Sequence, residues 1–512
     1  MAKVRWLKSK HIVELGRNLS KEANVRICLV QLPSPLVDWC DVARVIIDML
    51  PDVAILEIFY FYYLGDEHKT KKGIERWHTL AHVCRKWRNV VFASPRRLNL
   101  RLRTTECTRV KETLDIWPLL PIVVDVNIGG PFYEESDDWD EDNIIAALEH
   151  NDRIHEINFS GFPSSQLKEV LLAMHRPFPA LTRLDLDFGE TPVQPQADSF
   201  LGGSAPCLQY LRLYRTPFPG LPNLLLSATH LVSLTLWDIP PSGYFSPEAM
   251  ATCLSVLTNL KSLAIGFESP RSPSRPNQHP PPQARILLPI FITLTFDGDN
   301  EYLEDLVARI DAPLLTNLTI TFFHRPIFDT AQLTQLISRT PKFKGHKAHV
   351  EITDWHASIS LPQTSDGKLC LVISCGESDL QLSSLAQVCG SFFPRALIHA
   401  VEYLYINNGC FISYWDQDIF ESRQWLDFLR PFSTVKCLYI SWEFAPGIVA
   451  ALQELVGDRA TETLPALQTL FFEEADLSGP VWEAIGRFVA ARQLAGHPIA
   501  VSSWKDNHFL NN

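Results

Sequence analysis

One pattern recurs along this chain: an apolar residue, two free positions, a second apolar residue, one free position, and a third. It appears at Ile154-Ile157-Phe159, Leu181-Leu184-Leu186, Leu208-Leu211-Leu213, Leu231-Leu234-Leu236 and Leu260-Leu263-Ile265. It continues at Phe291-Leu294-Phe296, Leu315-Leu318-Ile320, Val401-Leu404-Ile406, Val435-Leu438-Ile440 and Leu467-Leu470-Phe472. From Ile154 to Leu315 the starts are separated by 27, 27, 23, 29, 31 and 24 residues, and later intervals are longer. A unit of this size holds one short strand and a return segment, and it cannot bury its apolar face without a neighbour above and below. Proline precedes the motif at Pro179, Pro206, Pro313 and Pro465, as suits strand entry from a loop or helix.

The period and the apolar positions resemble those of leucine-rich repeats. The asparagine that usually follows the strand is missing, its places carrying residues such as Gly189, Thr216 and Ile239. The fold class expected is therefore α/β: a small α-helical module, then an irregular leucine-rich-repeat-like solenoid over residues 98–505 with a parallel β-sheet on its concave face. Helical spacing over Pro247–Leu257, Tyr302–Ile310 and Trp482–Ala491 predicts convex-side helices, and a last strand near Ile499–Ser502 predicts a cap. The Pro-rich stretch at 268–282 reads as a loop, with Ser269 and Ser272 each preceding proline.

Strand residues alternate between faces, so Leu184 and Leu186 point to the core while Arg183, Asp185 and Asp187 point outward. The same count puts Arg212, Tyr214, Trp237, Tyr405, Asn407, Tyr439 and Glu473 on the concave face. Arginine and aromatic side chains on an open surface are the material of protein-recognition sites. Arg183, Asp185, Arg212, Tyr214, Trp237, Tyr405, Asn407 and Tyr439 are the candidate substrate-binding residues, ordinary surface decoration being the alternative.

Ahead of the array, Leu50-Pro51-Asp52 opens a helical pattern through Ile55, Leu56, Ile58, Phe59 and Tyr62. GDEHKTKKG, at 65–73, breaks it, and Trp77, Leu80, Cys84, Trp87 and Val91 then form one stripe at spacings of three and four. So much apolar surface in so short a segment predicts that part of the stripe faces a second polypeptide, the rest holding the module's own core. Leu50-Pro51-Asp52, Trp77-His78-Thr79-Leu80, Val83-Cys84 followed by Trp87-Arg88, and Phe92-Ala93-Ser94-Pro95 together resemble an F-box, and are similar to the F-box proteins of mushroom-forming fungi. The resemblance spans about residues 47–97 and leaves 1–46 as an extension of unread role. It implies docking onto the Skp-type adaptor of a cullin–RING ubiquitin ligase through Leu50, Pro51, Ile55, Leu56, Phe59, Leu80, Cys84 and Trp87. One departure stands: Val53 occupies the place where the family usually has a second acidic residue.

Composition narrows the function further. A net charge of −12 is the wrong sign for a general nucleic-acid binder, and no apolar run approaches the length of a membrane span. The eleven cysteines are scattered without a CxxC pair, which fits a reducing compartment, cytoplasm or nucleus. His78 and His82 share a helix spacing but lack the glutamate and third ligand of a zinc site, and no phosphate-binding loop or nucleophile elbow occurs. The expectation is a non-catalytic subunit without metal or cofactor, bridging a ligase adaptor and an unidentified protein substrate; a scaffold with repeats but no ligase docking is the alternative.

Overall fold

The computed structural model describes residues 50–64, 80–94, 101–104 and most of 110–504. Within that last span, residues 117–118, 128–140, 162–163, 188–199, 217–219, 269–284, 324–329, 341, 344, 363–366, 375–377, 410–419, 456–458, 460 and 474–478 lie outside the description. The expectations for the 1–46 extension, Trp77, His78 and nearly all of the Pro-rich loop therefore fall outside the described residues. The chain divides into two compact units, 1–103 and 104–512.

In the first unit two helices are described, α1 (Asp52–Leu64) and α2 (Arg85–Ala93). Pro51 starts α1 through its carbonyl, which accepts from the amides of Ala54 and Ile55. The single stripe expected from Trp77 to Val91 is broken. Cys84 is extended, with φ −158° and ψ 170°, and caps α2 by accepting from the Trp87 amide at 3.4 Å. Cysteine stands outside the usual capping set, so the sequence carried no stop signal there. Lys86 Nζ donates to the Leu50 carbonyl at 2.8 Å, tying the start of α1 to α2.

The second unit is built on one sheet. Its strands are β1 (Ile122–Asn127), β2 (Ile154–Ser160), β3 (Arg183–Asp187), β4 (Tyr210–Tyr214), β5 (Ser233–Ile239), β6 (Ser262–Phe267), β7 (Thr293–Gly298) and β8 (Asn317–Phe323). They are followed by β9 (Lys347–Ile352), β10 (His356–Pro362), β11 (Lys368–Ser374), β12 (Tyr403–Asn408), β13 (Cys437–Ile440), β14 (Thr469–Glu473) and β15 (Ala500–Trp504). From β1 to β8 every strand pairs in parallel with the next. The order then runs β8-β11-β10-β9-β12, and parallel neighbours resume from β12 to β15. The wholly parallel expectation is corrected here: β10 lies antiparallel between β11 and β9, so three consecutive strands form a meander inside the array.

The repeated apolar triplet is the core. Leu181, Leu184, Leu208, Leu231, Leu234 and Leu263 are fully buried, and Leu184, Leu211, Leu234 and Leu263 are register partners on successive strands. The backbone ties the turn before each strand to the preceding repeat. The Gln209 amide donates to the Thr182 carbonyl, Val232 to Gln209, Lys261 to Val232 and Ile292 to Lys261, each at 2.8 Å. Helices on the covered side include Pro247–Leu254, Asn300–Arg309 and Gly479–Leu494, near the expected positions with shifted ends. Two arginines close loose carbonyls toward the ends of the stack. Arg153 donates twice to Leu120 O, and the fully buried Arg492 donates to the carbonyls of Pro465 and Leu467.

Candidate functional site

The helix-free face of the sheet presents side chains in rows, because parallel registers place one residue per strand side by side. One row reads Asp125, Asn158, Asp185, Arg212, Thr235, Ala264, Thr295 and Thr319 from β1 to β8. Past the meander the same row continues through His349, Tyr405, Tyr439 and Phe471 to Ser502. The row is charged at its start, small and hydroxylic in its middle, and aromatic at its end.

At the charged end, Asn158 Nδ2 donates to Asp125 Oδ1 at 2.8 Å. Arg212 and Arg183 approach Asp185 at 3.7 and 3.9 Å. Asp185 faces the open side as expected but is 8% exposed, so it is covered and not a free surface acid. Burial raises its carboxyl above the usual range although both guanidiniums pull the other way. Arg183 also lies over the exposed Tyr210 ring, 5.8 Å from its centroid. Tyr214, in the adjacent row, gives its hydroxyl to Asp238, which holds its pKa up.

The aromatic end is a ladder. His349 stacks on Tyr405 with centroids 4.5 Å apart, Tyr405 on Tyr439 at 4.2 Å, and Tyr439 on Phe471 at 4.4 Å, all within 12° of parallel. These separations fall just under the spacing of neighbouring strands, about 4.8 Å, so the sheet sets the stack. Trp504 meets Tyr439 and Tyr405 edge-on at 5.6 and 6.3 Å. The rings are half-buried, leaving their outer edges to solvent. Burial, then the neighbouring Tyr439, raises the Tyr405 hydroxyl well above its ordinary pKa, and that hydroxyl donates to Tyr439. Burial, helped by Lys347 and Lys368, lowers His349 to about 4, so it is neutral at pH 7. Beside the ladder, Asn407 Oδ1, the Ser441 hydroxyl and Glu443 Oε2 are buried without hydrogen-bond partners among the described residues.

Sequence reasoning thus located Tyr405, Asn407 and Tyr439 but missed His349, Phe471 and Trp504. His349 lies on a strand without the repeat triplet, and Trp504 lies beyond the strand end expected at Ser502. Phe471 was legible, since alternation in Leu470-Phe471-Phe472 puts it outward. Trp237 is the register partner of Tyr214 and so borders the charged cluster.

In the N-terminal module the eight candidate docking residues separate by exposure. Ile55, Leu56, Phe59 and Leu80 are buried, with Phe59 edge-on to Trp87 at 4.8 Å. Pro51 is exposed, and Leu50, Cys84 and Trp87 are half-buried. Among the described residues of this module, Val53 and Val83, which were not among the candidates, are the large apolar side chains left accessible, at 62% and 53%.

Among the described residues no group of three or more His, Cys, Asp or Glu side chains is arranged to hold a metal. Burial pushes the Cys253 thiol up to about 11 and raises Cys389 further, which disfavours either as a thiolate nucleophile. Among the same residues no helix is long and apolar enough to cross a membrane.

The fold and face define an irregular repeat protein of leucine-rich-repeat-like architecture. No family model matches the sequence, and no curated protein matches it. Among solved structures, the leucine-rich repeat-containing protein LegL7 of Legionella pneumophila is similar at 12% identity, covering 76% of this chain and 97% of that one, with a TM-score of 0.26. A score that low carries no argument, and the class rests on the parallel ladder and its buried triplets.

Proposed function

We propose that this chain is a non-catalytic recognition subunit whose open sheet face grips a protein partner, and whose N-terminal helices dock it to the Skp-type adaptor of a cullin ubiquitin ligase. The observation that carries the reading is the open face itself. Over β1–β15 it displays an arginine–carboxylate cluster with Trp237 at its border, and a stacked aromatic ladder met edge-on by Trp504. Aromatic and arginine anchors set among small residues suit a polypeptide surface. Such a subunit acts by raising the local concentration of its partner near a transferase, with no bond-making of its own.

Docking draws its support from the F-box-like sequence and from the accessible apolar positions Pro51, Val53 and Val83. The test is co-purification of the full chain with a Skp-type adaptor. Val53→Glu with Val83→Glu should abolish capture while leaving the fold intact, since both side chains are exposed. A wild-type chain that fails to capture the adaptor overturns the ligase half. The scaffold reading has its own support: Ile55, Leu56, Phe59 and Leu80 are already buried, and Val53 stands where the F-box pattern usually has an acidic residue. Partner capture by the open face without adaptor binding would select it.

A further inference from the structure

Trp237 is placed by an irregularity. Leu236 pairs with Ile265 and Ile239 with Phe267, so Trp237 and Asp238 on β5 oppose the single residue Gly266 on β6. This is a β-bulge, a device that re-aims a side chain. Asp238 takes φ +50°, a conformation aspartate tolerates better than most residues, and Arg215 Nε holds its carboxylate at 3.1 Å. The indole then lies across Gly266. A Cβ there would meet Cδ2 and Cε3 of Trp237 at 3.0 Å each, so the missing side chain makes room for the ring.

On its other side Gly266 pairs with Asp297 of β7, and Asp297 pairs with Thr321 of β8. Asp297 Oδ1 is buried and has no hydrogen-bond partner among the described residues. Among the described residues, the charged group acting on it is Asp238, of the same sign. Burial first, and Asp238 second, push its carboxyl up to about 6. Taking a carboxylate out of water without a counter-charge is costly, and such groups concentrate where a ligand supplies the missing partner. An aromatic face and an orphan carboxylate on the two flanks of one glycine match a cation on both counts, ring quadrupole and charge-assisted hydrogen bonding.

We infer that Trp237, Gly266 and Asp297 form a subsite for a cationic side chain, arginine or lysine, of the polypeptide bound to the open face. The subsite rests on the reading of that face as a recognition surface, but its chemistry is testable without the partner. In the full chain, indole N–H spectra are recorded with N-acetyl-arginine amide, N-acetyl-lysine amide and the neutral N-acetyl-citrulline amide, Trp237→Phe assigning the resonance. The cationic probes should shift the Trp237 signal and citrulline should not. Asp297→Asn should weaken the response to arginine at least tenfold while leaving the melting temperature unchanged or higher, since a group kept for binding opposes stability.

Equal shifts with citrulline and arginine would overturn the subsite, as would an Asp297→Asn variant that binds arginine normally or melts lower. Arg271→Ala with Arg275→Ala, in the chain without probe, is the remaining control. If that change alone moves the Trp237 resonance, the cation belongs to this chain and the inference fails. Probe binding with no protein captured by the face would instead sink the wider recognition reading and leave the subsite standing.

Discussion

Replacing Tyr439 with alanine removes a ring that is stacked on both faces and met at its edge. It packs on Tyr405 at 4.2 Å and on Phe471 at 4.4 Å, and Trp504 meets it at 5.6 Å. Aromatic pairs contribute about 0.5–1.5 kcal/mol each beyond burial, so three pairs give about 1.5–4.5 kcal/mol. The hydrogen bond from the Tyr405 hydroxyl adds about 1 kcal/mol. A loss of about 3 kcal/mol is expected for Tyr439→Ala, and about 1 kcal/mol for Tyr439→Phe, which keeps the ring. In a stacked array stability is a sum of nearest-neighbour terms, so the loss should be local. Amide hydrogen exchange is the assay. At 1.4 kcal/mol per factor of ten, protection across β12–β15 should fall about 100-fold in the alanine variant, with β1–β4 unchanged. Equal effects of alanine and phenylalanine, or a loss spread evenly along the sheet, would refute the ladder as a structural spine.

Arg492→Met should cost about 2–4 kcal/mol in urea unfolding, because the carbonyls of Pro465 and Leu467 lose a buried donor. Gly266→Ala should displace the Trp237 ring, read as a change in its indole resonance, while unfolding stability falls by about 1–3 kcal/mol from overpacking. His349 has a folded pKa near 4, below its unfolded value of 6.5, so its contribution is complete above pH 6.5 and is lost as pH falls toward 4. His349→Phe should flatten that acid-side slope in urea titrations from pH 7 to 4. Asp297, raised to about 6, has the opposite sign: its ionisation opposes folding as pH rises from about 4 through 6, and Asp297→Asn should remove this decline.

The sheet was readable because the triplet fixes both burial and register: Leu184, Leu211, Leu234 and Leu263 are neighbours on successive strands. What escaped lacked that signature. β9 and β10 alternate without the triplet, β11 is a continuous apolar run from Leu369 to Ile373, and an antiparallel meander has no 20-residue period to betray it. β1 precedes the first repeat. The open face was legible where alternation is regular, at Arg212, Tyr405 and Tyr439, but alternation gives direction and not environment. It could not show that Asp185 is covered by two arginines, or that a bulge turns Trp237 over Gly266. In the N-terminal module the helical period identified the apolar stripe, yet periodicity cannot apportion it between internal packing and a partner. Ile55 and Phe59 went inward while Val53, off the stripe, stayed accessible.

The meander at β9–β11 also has a kinetic meaning. Elsewhere each parallel pairing must close a loop of a full repeat before it gains a contact, whereas these three antiparallel strands are joined by short connections and can form on their own in microseconds. Once formed, they offer two free edges: β11 templates β8, and β9 templates β12. Assembly is therefore expected to start in the interior and grow toward both termini at once, with the highest φ-values at residues such as Val350, Ile359 and Leu371. Low φ-values there, with high ones at β2–β4, would place the nucleus at the N-terminal end instead.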